Sequence, residues 1–292
     1  MKHPNLNVVG CGRLGQALTK LFVDAQLVGE ARICNRSVES GQRAVQAIGA
    51  GKVYRSYGEM PSSALWLIGS GDQQIPEVAE RLAESGAFEK PSVVFHGSGV
   101  ITSEVLAPLR SRGCFVASVH PVRSFANADL ATRAFAGTFC GIEGDEGAME
   151  VLRDLFTLVG GEVFSLSTEA KMVCHAGHVF ASNYLVALLK VARDLYAAAG
   201  IPDHIAWRLM APLVQGTVDN VMRLGPTKAL TGPIARGEGA VVARQLGKVA
   251  EESPSFGDLY SQLGLVALEI AGSQGLSAEQ SESIRRVLSP KD

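Results

Sequence analysis

A Gly-x-Gly-x-x-Gly pattern at residues 10–15 constrains the fold of this chain more than any other feature. It follows the short apolar run Leu6–Val9 and precedes a helical pattern over Leu14–Ala25. A strand that turns through such glycines into a helix is typical of a dinucleotide-binding βαβ unit, in which N–H groups at the helix N-terminus face a pyrophosphate. The residues predicted to hold the pyrophosphate are Gly10, Gly12, Arg13, Leu14 and Gly15.

Short apolar runs alternate with helical patterns through the N-terminal half. The predicted strands are Leu6–Val9, Ala31–Cys34, Val53–Tyr54, Leu65–Ile68, Ser92–Phe95, Phe115–Val119, Thr138–Ile142 and a run near Glu162–Ser165. Apolar strands with helices between them indicate a parallel sheet that is covered on both faces. Beyond Thr168 the pattern changes to long helices, predicted at Glu169–Ala199, Pro202–Arg223 and Ser255–Ser273. We therefore predict an α/β fold: a Rossmann-type doubly wound, mostly parallel sheet in residues 1–166, then an all-α domain in residues 167–292.

The end of the second predicted strand indicates which nicotinamide cofactor would bind. An NAD site carries Asp or Glu about 20 residues beyond the glycines, where it binds the ribose 2′-OH. Here the chain has Asn35, Arg36 and Ser37 instead, and a guanidinium beside small polar side chains suits a 2′-phosphate. The sequence therefore predicts NADP(H). Ser37 also fits the N-cap of the next helix, and one loop can serve both roles.

Two more loops follow strands at the edge where ligands bind in open α/β sheets. One follows Leu65–Ile68 and the other follows Ser92–Phe95. Their small residues would let a cofactor lie close to the backbone, so further cofactor contacts are predicted at Gly69, Ser70, His96 and Ser98. For a histidine at a strand end, such as His96 or His120, satisfying backbone carbonyls is the alternative interpretation.

A polar stripe on the predicted helix 169–199 suggests where the chemistry takes place. Lys171, His175, His178 and Ser182 are spaced i, i+4, i+7 and i+11, which places them within a stripe roughly 60° wide. The rest of the helix is largely apolar, and a polar stripe there is costly unless it is paired, exposed or lining a cavity. A solvated face is the other interpretation. We predict Lys171 or His175 as proton donor.

Substrate positioning is predicted for His120, Asn183 and Arg236. Arg236 lies in the glycine- and proline-rich segment 225–239, where it could clamp a carboxylate or phosphate, although a plain inter-helix turn fits the segment nearly as well. No metal site is predicted, because His175 and His178 are spaced i, i+3 and no carboxylate shares their stripe.

The amino-acid composition argues against several classes of binding partner for this chain. The chain has 27 basic and 29 acidic side chains, so it offers no basic field for nucleic acid. Its five cysteines form no CxxC pair, which indicates a reducing compartment. It shows no signal-peptide pattern and no uninterrupted apolar run of about 18 residues. We predict a cytoplasmic protein with a small-molecule substrate and neither a nucleic-acid nor a membrane partner.

The segments VVGCGRLG, CNRS, HGSG, HPVRSF, HAGHVFASNYLVAL and LTGPIARGE extend over nearly the whole chain. With them the chain resembles a subgroup of Rossmann-like oxidoreductases whose second domain has no known function. This subgroup is related to pyrroline-5-carboxylate reductase, ketopantoate reductase and, more distantly, 6-phosphogluconate dehydrogenase. The resemblance implies an NADP-binding domain, a helical C-terminal domain and a homodimer with its active site between domains. In β-hydroxyacid dehydrogenase relatives a catalytic lysine precedes an asparagine at i+4; Lys171 matches the lysine, but His175 replaces the asparagine.

Together these features predict an NADP(H)-dependent oxidoreductase. Hydride would pass between the nicotinamide C4 and a small carbonyl, imine or hydroxy compound in an interdomain cleft. The alternatives are a non-catalytic NADP-binding sensor or scaffold, and a structural dimerisation protein that binds no nucleotide. The titratable stripe favours an enzyme over both, because a site without turnover would tolerate its loss.

Overall fold

An eight-stranded sheet organises the N-terminal part of the chain in the computed structural model, which describes residues 4–123 and 134–289. The strands are β1 (Leu6–Val9), β2 (Ala31–Cys34), β3 (Lys52–Val53), β4 (Leu65–Ile68), β5 (Val93–His96), β6 (Phe115–Pro121), β7 (Phe139–Gly144) and β8 (Glu162–Ser165). They lie in the order β3-β2-β1-β4-β5-β6-β7-β8. Neighbouring strands are parallel except β6 and β7, which are antiparallel. The predicted Rossmann-type, mostly parallel sheet is confirmed.

Helices cover both faces of the sheet. They are α1 (Arg13–Asp24), α2 (Val38–Ile48), α3 (Ile75–Glu84), α4 (Ala107–Arg110) and α5 (Glu146–Leu158). A further helix, α6 (Ala170–Ala181), follows β8, and Lys171 is its buried residue. One apolar core joins the strands to α1, α2 and α5, and a second joins them to α3 and α4. Because apolar groups lie on both sides, β1, β2, β4 and β5 are buried at every residue. This explains why their sequences are almost uniformly apolar rather than alternating.

The chain reverses its direction of winding at β1. Val9 pairs in register with Cys34 of β2 on one side and with Ile68 of β4 on the other. In open α/β sheets such a switch point leaves a crevice at the carboxyl ends of the strands, and ligands bind there. The loops after β1, β2, β4 and β5 therefore share one edge of the sheet, and they contain most of the predicted cofactor residues.

The chain divides into two compact units, Met1–Phe180 and Ala181–Asp292. The second unit contains helices α7 (Asn183–Ala198), α8 (Asp203–Leu224), α9 (Pro226–Ala229), α10 (Gly239–Glu252), α11 (Pro254–Ser273) and α12 (Ala278–Leu288). A small core of Val242, Leu268, Ile284 and Leu288 holds α10, α11 and α12 together. No strand occurs between residues 181 and 289, so the predicted all-α character is confirmed. The functional division at residues 166 and 167 stays a prediction.

The single long helix predicted over Glu169–Ala199 is wrong. The chain forms α6 and α7 instead, and Ser182 between them has a non-helical conformation (φ −126°, ψ −69°). The predicted stripe therefore loses Ser182, while its other three members remain on α6. Taken as a whole, Ala170–Ala198 is long and apolar enough to cross a membrane by length and composition, with mean hydropathy 1.3.

Candidate active site

A cleft of about 940 Å³ lies at the carboxyl edge of β1, β2 and β4. Six of the residues predicted to bind the cofactor line it: Gly10, Gly12, Asn35, Arg36, Gly69 and Ser70. The other predicted pyrophosphate residues and Ser37 lie beside the cleft without lining it. The structure thus brings together the loops after the first, second and fourth strands, as their positions at strand ends predict.

Two of these loops approach each other too closely for side chains. Gly10 has φ +73°, and a Cβ placed on it would lie 2.8 Å from the backbone N of Ser70. A Cβ on Gly69 would lie 2.7 Å from the carbonyl O of Gly10. Both distances are shorter than real Cβ contacts allow, so glycine is required at both positions. The result is a wall of bare backbone at the start of α1, which fits a pyrophosphate.

Asn35 and Ser37 shape the cleft through local hydrogen bonds. The Asn35 side-chain oxygen accepts from the backbone N–H of Cys11 at 2.6 Å, which ties the end of β2 to the glycine loop. The Ser37 hydroxyl accepts from the backbone N–H of Ser40 at 3.2 Å and caps α2. The predicted cap is confirmed. Ser40, rather than Ser37, lines the cleft itself.

Four exposed arginines line the same cleft: Arg36, Arg43, Arg55 and Arg81. Arg81 contacts Glu77 at 3.5 Å and lies 5.6 Å from the centroid of the Tyr57 ring. Arg36 is exposed on the cleft and forms no salt bridge within the described residues, so its five N–H donors are available to an anion. Sequence reasoning found Arg36 alone, since the other three come from different elements that only the fold brings together.

His96 and Ser98 do not reach the cleft. His96 is fully buried, and its Nδ1 accepts from the backbone N–H of Ser98 at 3.2 Å. Its Nε2 donates to the carbonyl O of Thr102 at 3.3 Å. The Ser98 hydroxyl is also occupied, because it accepts from two backbone N–H groups of its own loop. Both residues hold the loop after β5 in shape, and their contact with a cofactor stays a prediction.

That loop separates the glycine motif from a group of histidines. A Cβ on Gly97 would lie 3.3 Å from Cγ of Leu14, which belongs to the glycine motif. A Cβ on Gly99 would lie 2.5 Å from Nδ1 of His175 and 2.8 Å from Nε2 of His120. The two glycines therefore let the loop pack tightly on both sides, and the histidines lie next to the nucleotide-binding edge.

The histidine cluster comprises His120 on β6 and His175 and His178 on α6. One ring nitrogen from each lies within 4.8 Å of the others. His120 Nδ1 donates to the carbonyl O of Gly97 at 3.2 Å. The Nδ1 atoms of His175 and His178 are buried and have no hydrogen-bond partner among the described residues. The cluster borders a cavity of about 10 Å³, which is large enough for one water or ion.

Burial keeps the imidazoles of His120 and His178 neutral by lowering their pKa values. Burial lowers the pKa of His120 to about 4, and the charges of His175, His178 and Lys171 lower it further. The hydrogen bond to Gly97 opposes this shift. Burial also lowers the pKa of His178, again with a contribution from His175. At neutral pH these side chains therefore present lone pairs rather than protons.

Lys171 lies at the edge of the same cavity in a buried ion pair. Its ammonium donates to Glu143 Oε1 at 3.1 Å and to the Ser118 hydroxyl. Glu143 in turn accepts from the backbone N–H of Ser103 at 2.9 Å and from its hydroxyl at 2.7 Å. Lys171 is 2% exposed. Burial lowers its pKa, while the charge of Glu143 works in the opposite direction.

Glu143, Ser118 and Ser103 were missed by sequence reasoning. One signal could have found Glu143: it is a lone carboxylate in the otherwise apolar strand FCGIEG. A charge in such a strand needs a buried partner, and Lys171 is the cation that the fold supplies.

Two predicted substrate residues belong to the second unit. Asn183 is the first residue of α7, and Arg236 forms an exposed salt bridge to Glu238 at 2.8 Å. Their part in a site stays a prediction. Of the predicted catalytic residues, the structure brings together Lys171, His175 and His120.

Comparison with family models divides the chain in two. Residues 1–121 match a Rossmann-like domain, and residues 138–267 match DUF2520, a domain of unknown function. These two matches agree with the predicted order of a Rossmann-like domain followed by a second domain without a known function. No curated protein matches it in sequence.

Several solved structures share the fold over nearly their full length. A protein from Thermotoga maritima is 25% identical, with a TM-score of 0.73 over 93% of this chain and 100% of its own. The pyrroline-5-carboxylate reductase of Coxiella burnetii is 14% identical, with a TM-score of 0.57 over 94% and 100%. A reductive aminase from Aspergillus terreus, in complex with NADPH and ethyl levulinate, is 15% identical, with a TM-score of 0.58 over 98% and 93%.

Proposed function

We propose that this chain is an NADP(H)-dependent oxidoreductase that reduces or oxidises a small carbonyl, imine or hydroxy compound. The glycine-walled cleft carries the proposal, because it joins a bare-backbone wall to four arginines. A sheet of this topology would bind a dinucleotide at this edge. The structurally similar reductive aminase holds NADPH, and the similar pyrroline-5-carboxylate reductase is also a reductase.

The two ends of the cleft would hold different phosphates. The loop of Gly10, Gly12, Arg13, Leu14 and Gly15 would hold the pyrophosphate with backbone N–H groups, and Gly69 and Ser70 would form the opposite wall. Asn35, Arg36 and Ser37 would surround the 2′-phosphate, with Arg43 and Arg55 adding positive charge. Guanidinium groups suit phosphate because their planar N–H donors match its oxygens. The bound cofactor supplies or accepts a hydride at C4 of its nicotinamide.

Lys171 is the proton donor in this proposal. Its ammonium is held by Glu143 and Ser118, and it lines the cavity beside the histidine cluster. Burial lowers its pKa, which makes the proton easier to release to a substrate oxygen or nitrogen. Glu143 keeps the amine in place through both protonation states. His120 and His175, which line the same cavity, would help to position the substrate beside it.

Calorimetric titration with NADPH and NADH in parallel tests the cofactor assignment. We expect NADPH to bind about 100-fold more tightly, because only it carries the 2′-phosphate that the arginines would recognise. Equal affinities, or a preference for NADH, would contradict the assignment. A screen of imines and keto acids with NADPH then distinguishes an enzyme from an NADP-binding sensor, which would bind cofactor without turnover.

We also propose a homodimer formed through the C-terminal unit. Several large apolar side chains of α7 and α8 are solvent-exposed, among them Val186, Leu213 and Met222. Exposed apolar surface of this kind marks protein interfaces. Light scattering on the purified chain is expected to give twice the chain mass of 30.8 kDa.

A further inference from the structure

We propose that His120, His175 and His178 bind one divalent transition metal ion, with Zn²⁺ as the representative ion. Each histidine would contribute one ring nitrogen. The site forms where β6 and α6 approach the loop after β5, so helix spacing in the sequence does not reveal it. The metal site itself is independent of the proposed oxidoreductase function.

The ring nitrogens converge on one space. They lie within 4.8 Å of one another. A tetrahedral ion with bonds of about 2.0–2.1 Å places its ligands about 3.3 Å apart, so inward movements of about 1 Å would complete the site. His175 Nδ1 and His120 Nε2 both face the point where a Cβ on Gly99 would lie. Glycine at position 99 keeps that space open.

The hydrogen bonds around the cluster suit metal ligands. His120 Nδ1 donates its proton to the carbonyl O of Gly97, which leaves the lone pair on Nε2 facing the cluster. Metal-binding histidines are commonly oriented by such a carbonyl on the opposite nitrogen. The buried Nδ1 atoms of His175 and His178 have no partner in the described part of the chain. Coordination would satisfy a nitrogen that is otherwise left unpaired in the interior.

The chemistry of the cluster selects the type of ion. Three imidazole nitrogens as ligands favour Zn²⁺, Co²⁺, Ni²⁺ or Cu²⁺ over Mg²⁺ and Ca²⁺, which prefer oxygen ligands. The nearest cation, Lys171, is neutralised by Glu143, so the ion would not face an unbalanced charge. Three protein ligands leave a coordination position open, as in catalytic zinc sites.

If the proposed oxidoreductase function holds, a substrate could bind the metal ion at its open coordination position. An ion beside Lys171 would bind and polarise the oxygen of a carbonyl or hydroxy substrate. The nitrogen of an imine could occupy the same position, so the open site would serve either class of substrate.

Metal binding is tested on the full chain after treatment with a chelator. We expect calorimetry with Zn²⁺ to give one ion per chain, and Co²⁺ to give the visible absorption of a tetrahedral complex. His120→Ala, His175→Ala and His178→Ala should each lower Zn²⁺ affinity by about 100-fold or more, since each removes one of three ligands. His204→Ala is the matched control, because His204 is exposed and lies on α8.

Two outcomes would overturn the site: no Zn²⁺ binding by the wild-type chain, or undiminished binding by the triple alanine variant. Circular dichroism and urea denaturation of each variant report whether it is folded, so loss of metal binding is not confused with loss of structure. Because metal binding is measured without cofactor or substrate, its failure would leave the proposed oxidoreductase function standing. Failure of NADPH to bind would likewise leave the metal site standing.

Discussion

The nucleotide cleft and the histidine–lysine cavity lie on the same sheet but are built in opposite ways. The cleft has a volume of about 940 Å³ and exposed arginines, whereas the cavity has about 10 Å³ and a lysine that is 2% exposed. In the cleft, backbone groups and solvated charges would supply affinity for an anion. In the cavity, burial changes the protonation of side chains and holds them in fixed positions. The comparison teaches that a broad exposed site suits binding, while a small buried one suits reactivity.

The two regions also treat charge differently. Arg36 is exposed and forms no salt bridge with any residue that the structure describes, so its guanidinium is free to bind a ligand phosphate. Lys171 is fully committed to Glu143 and Ser118 before any substrate arrives. Changes in the cleft should therefore alter affinity selectively, whereas changes in the cavity should alter turnover and stability together.

The largest expected effect comes from removing the buried ammonium. Lys171→Met should reduce turnover by about 10²–10⁴-fold, because it removes the proposed general acid. It should also destabilise the fold, because Glu143 would be left buried without a partner. NADPH affinity should change little. Steady-state kinetics, chemical denaturation and calorimetry measure the three quantities.

Two further variants sharpen that prediction. Lys171→Met combined with Glu143→Gln should recover stability without recovering turnover, because the second change removes the unpaired charge. Lys190→Ala is the control, since Lys190 forms an exposed i, i+4 ion pair with Asp194. Full turnover in Lys171→Met would exclude this lysine as the proton donor.

Arg36→Ala tests the proposed role of the exposed cleft in binding the 2′-phosphate. We expect NADPH affinity to fall by about 10–100-fold while NADH affinity stays unchanged, because a guanidinium contact with the 2′-phosphate exists only for NADPH. Arg112→Ala is a matched control, since Arg112 is exposed and lies outside the cleft. Equal losses for both cofactors would show that Arg36 acts on the fold or on the shared part of the dinucleotide.

The buried His96 predicts a pH dependence of stability. Burial lowers its pKa to about 3 in the folded chain, against 6.5 for an exposed histidine. Between these values the unfolded chain binds the extra proton, so stability falls as the pH falls. From pH 7 to pH 5 the protonation of His96 in the unfolded chain should lower the free energy of unfolding by about 2 kcal/mol.

Urea denaturation of wild type and His96→Gln at both pH values measures this loss of stability, and the stability of the variant should depend less steeply on pH. An identical pH dependence in both would contradict the buried neutral state, and His204→Ala should behave like wild type.

The smallest expected effect concerns the cap of α2. Ser37→Ala should lower the free energy of unfolding by about 1 kcal/mol, because the backbone N–H of Ser40 loses its acceptor. If Ser37 also contacts the 2′-phosphate, NADPH affinity should fall as well while NADH affinity is retained. Ser37→Asp separates the two roles, since it keeps the cap but repels a phosphate. Tighter NADPH binding by Ser37→Asp would contradict the phosphate contact.

Much of the structure around the glycine-walled cleft was predictable from the sequence. The strands Leu6–Val9, Ala31–Cys34 and Leu65–Ile68 have their predicted bounds, and Ser37 caps α2 as predicted. Each depends on residues close together in sequence: an apolar run, a glycine turn, a serine that caps its own helix. Parallel strands then place their carboxyl ends at one edge, so the cleft follows from the strand order.

The histidine–lysine cavity, in contrast, forms through contacts between segments that are far apart in the sequence. His120 meets His175 and His178 only because β6 lies beside α6, and Glu143 meets Lys171 only because β7 pairs with β6. The break between α6 and α7 at Ser182 was not predicted either, because the helical pattern of the sequence continues through this residue. The sequence by itself determined the glycine-lined edge of the sheet, because short-range geometry dictates it. The tertiary structure alone decided the buried ion pair and the histidine cluster, because burial and long-range packing choose the partners of each charged or polar group.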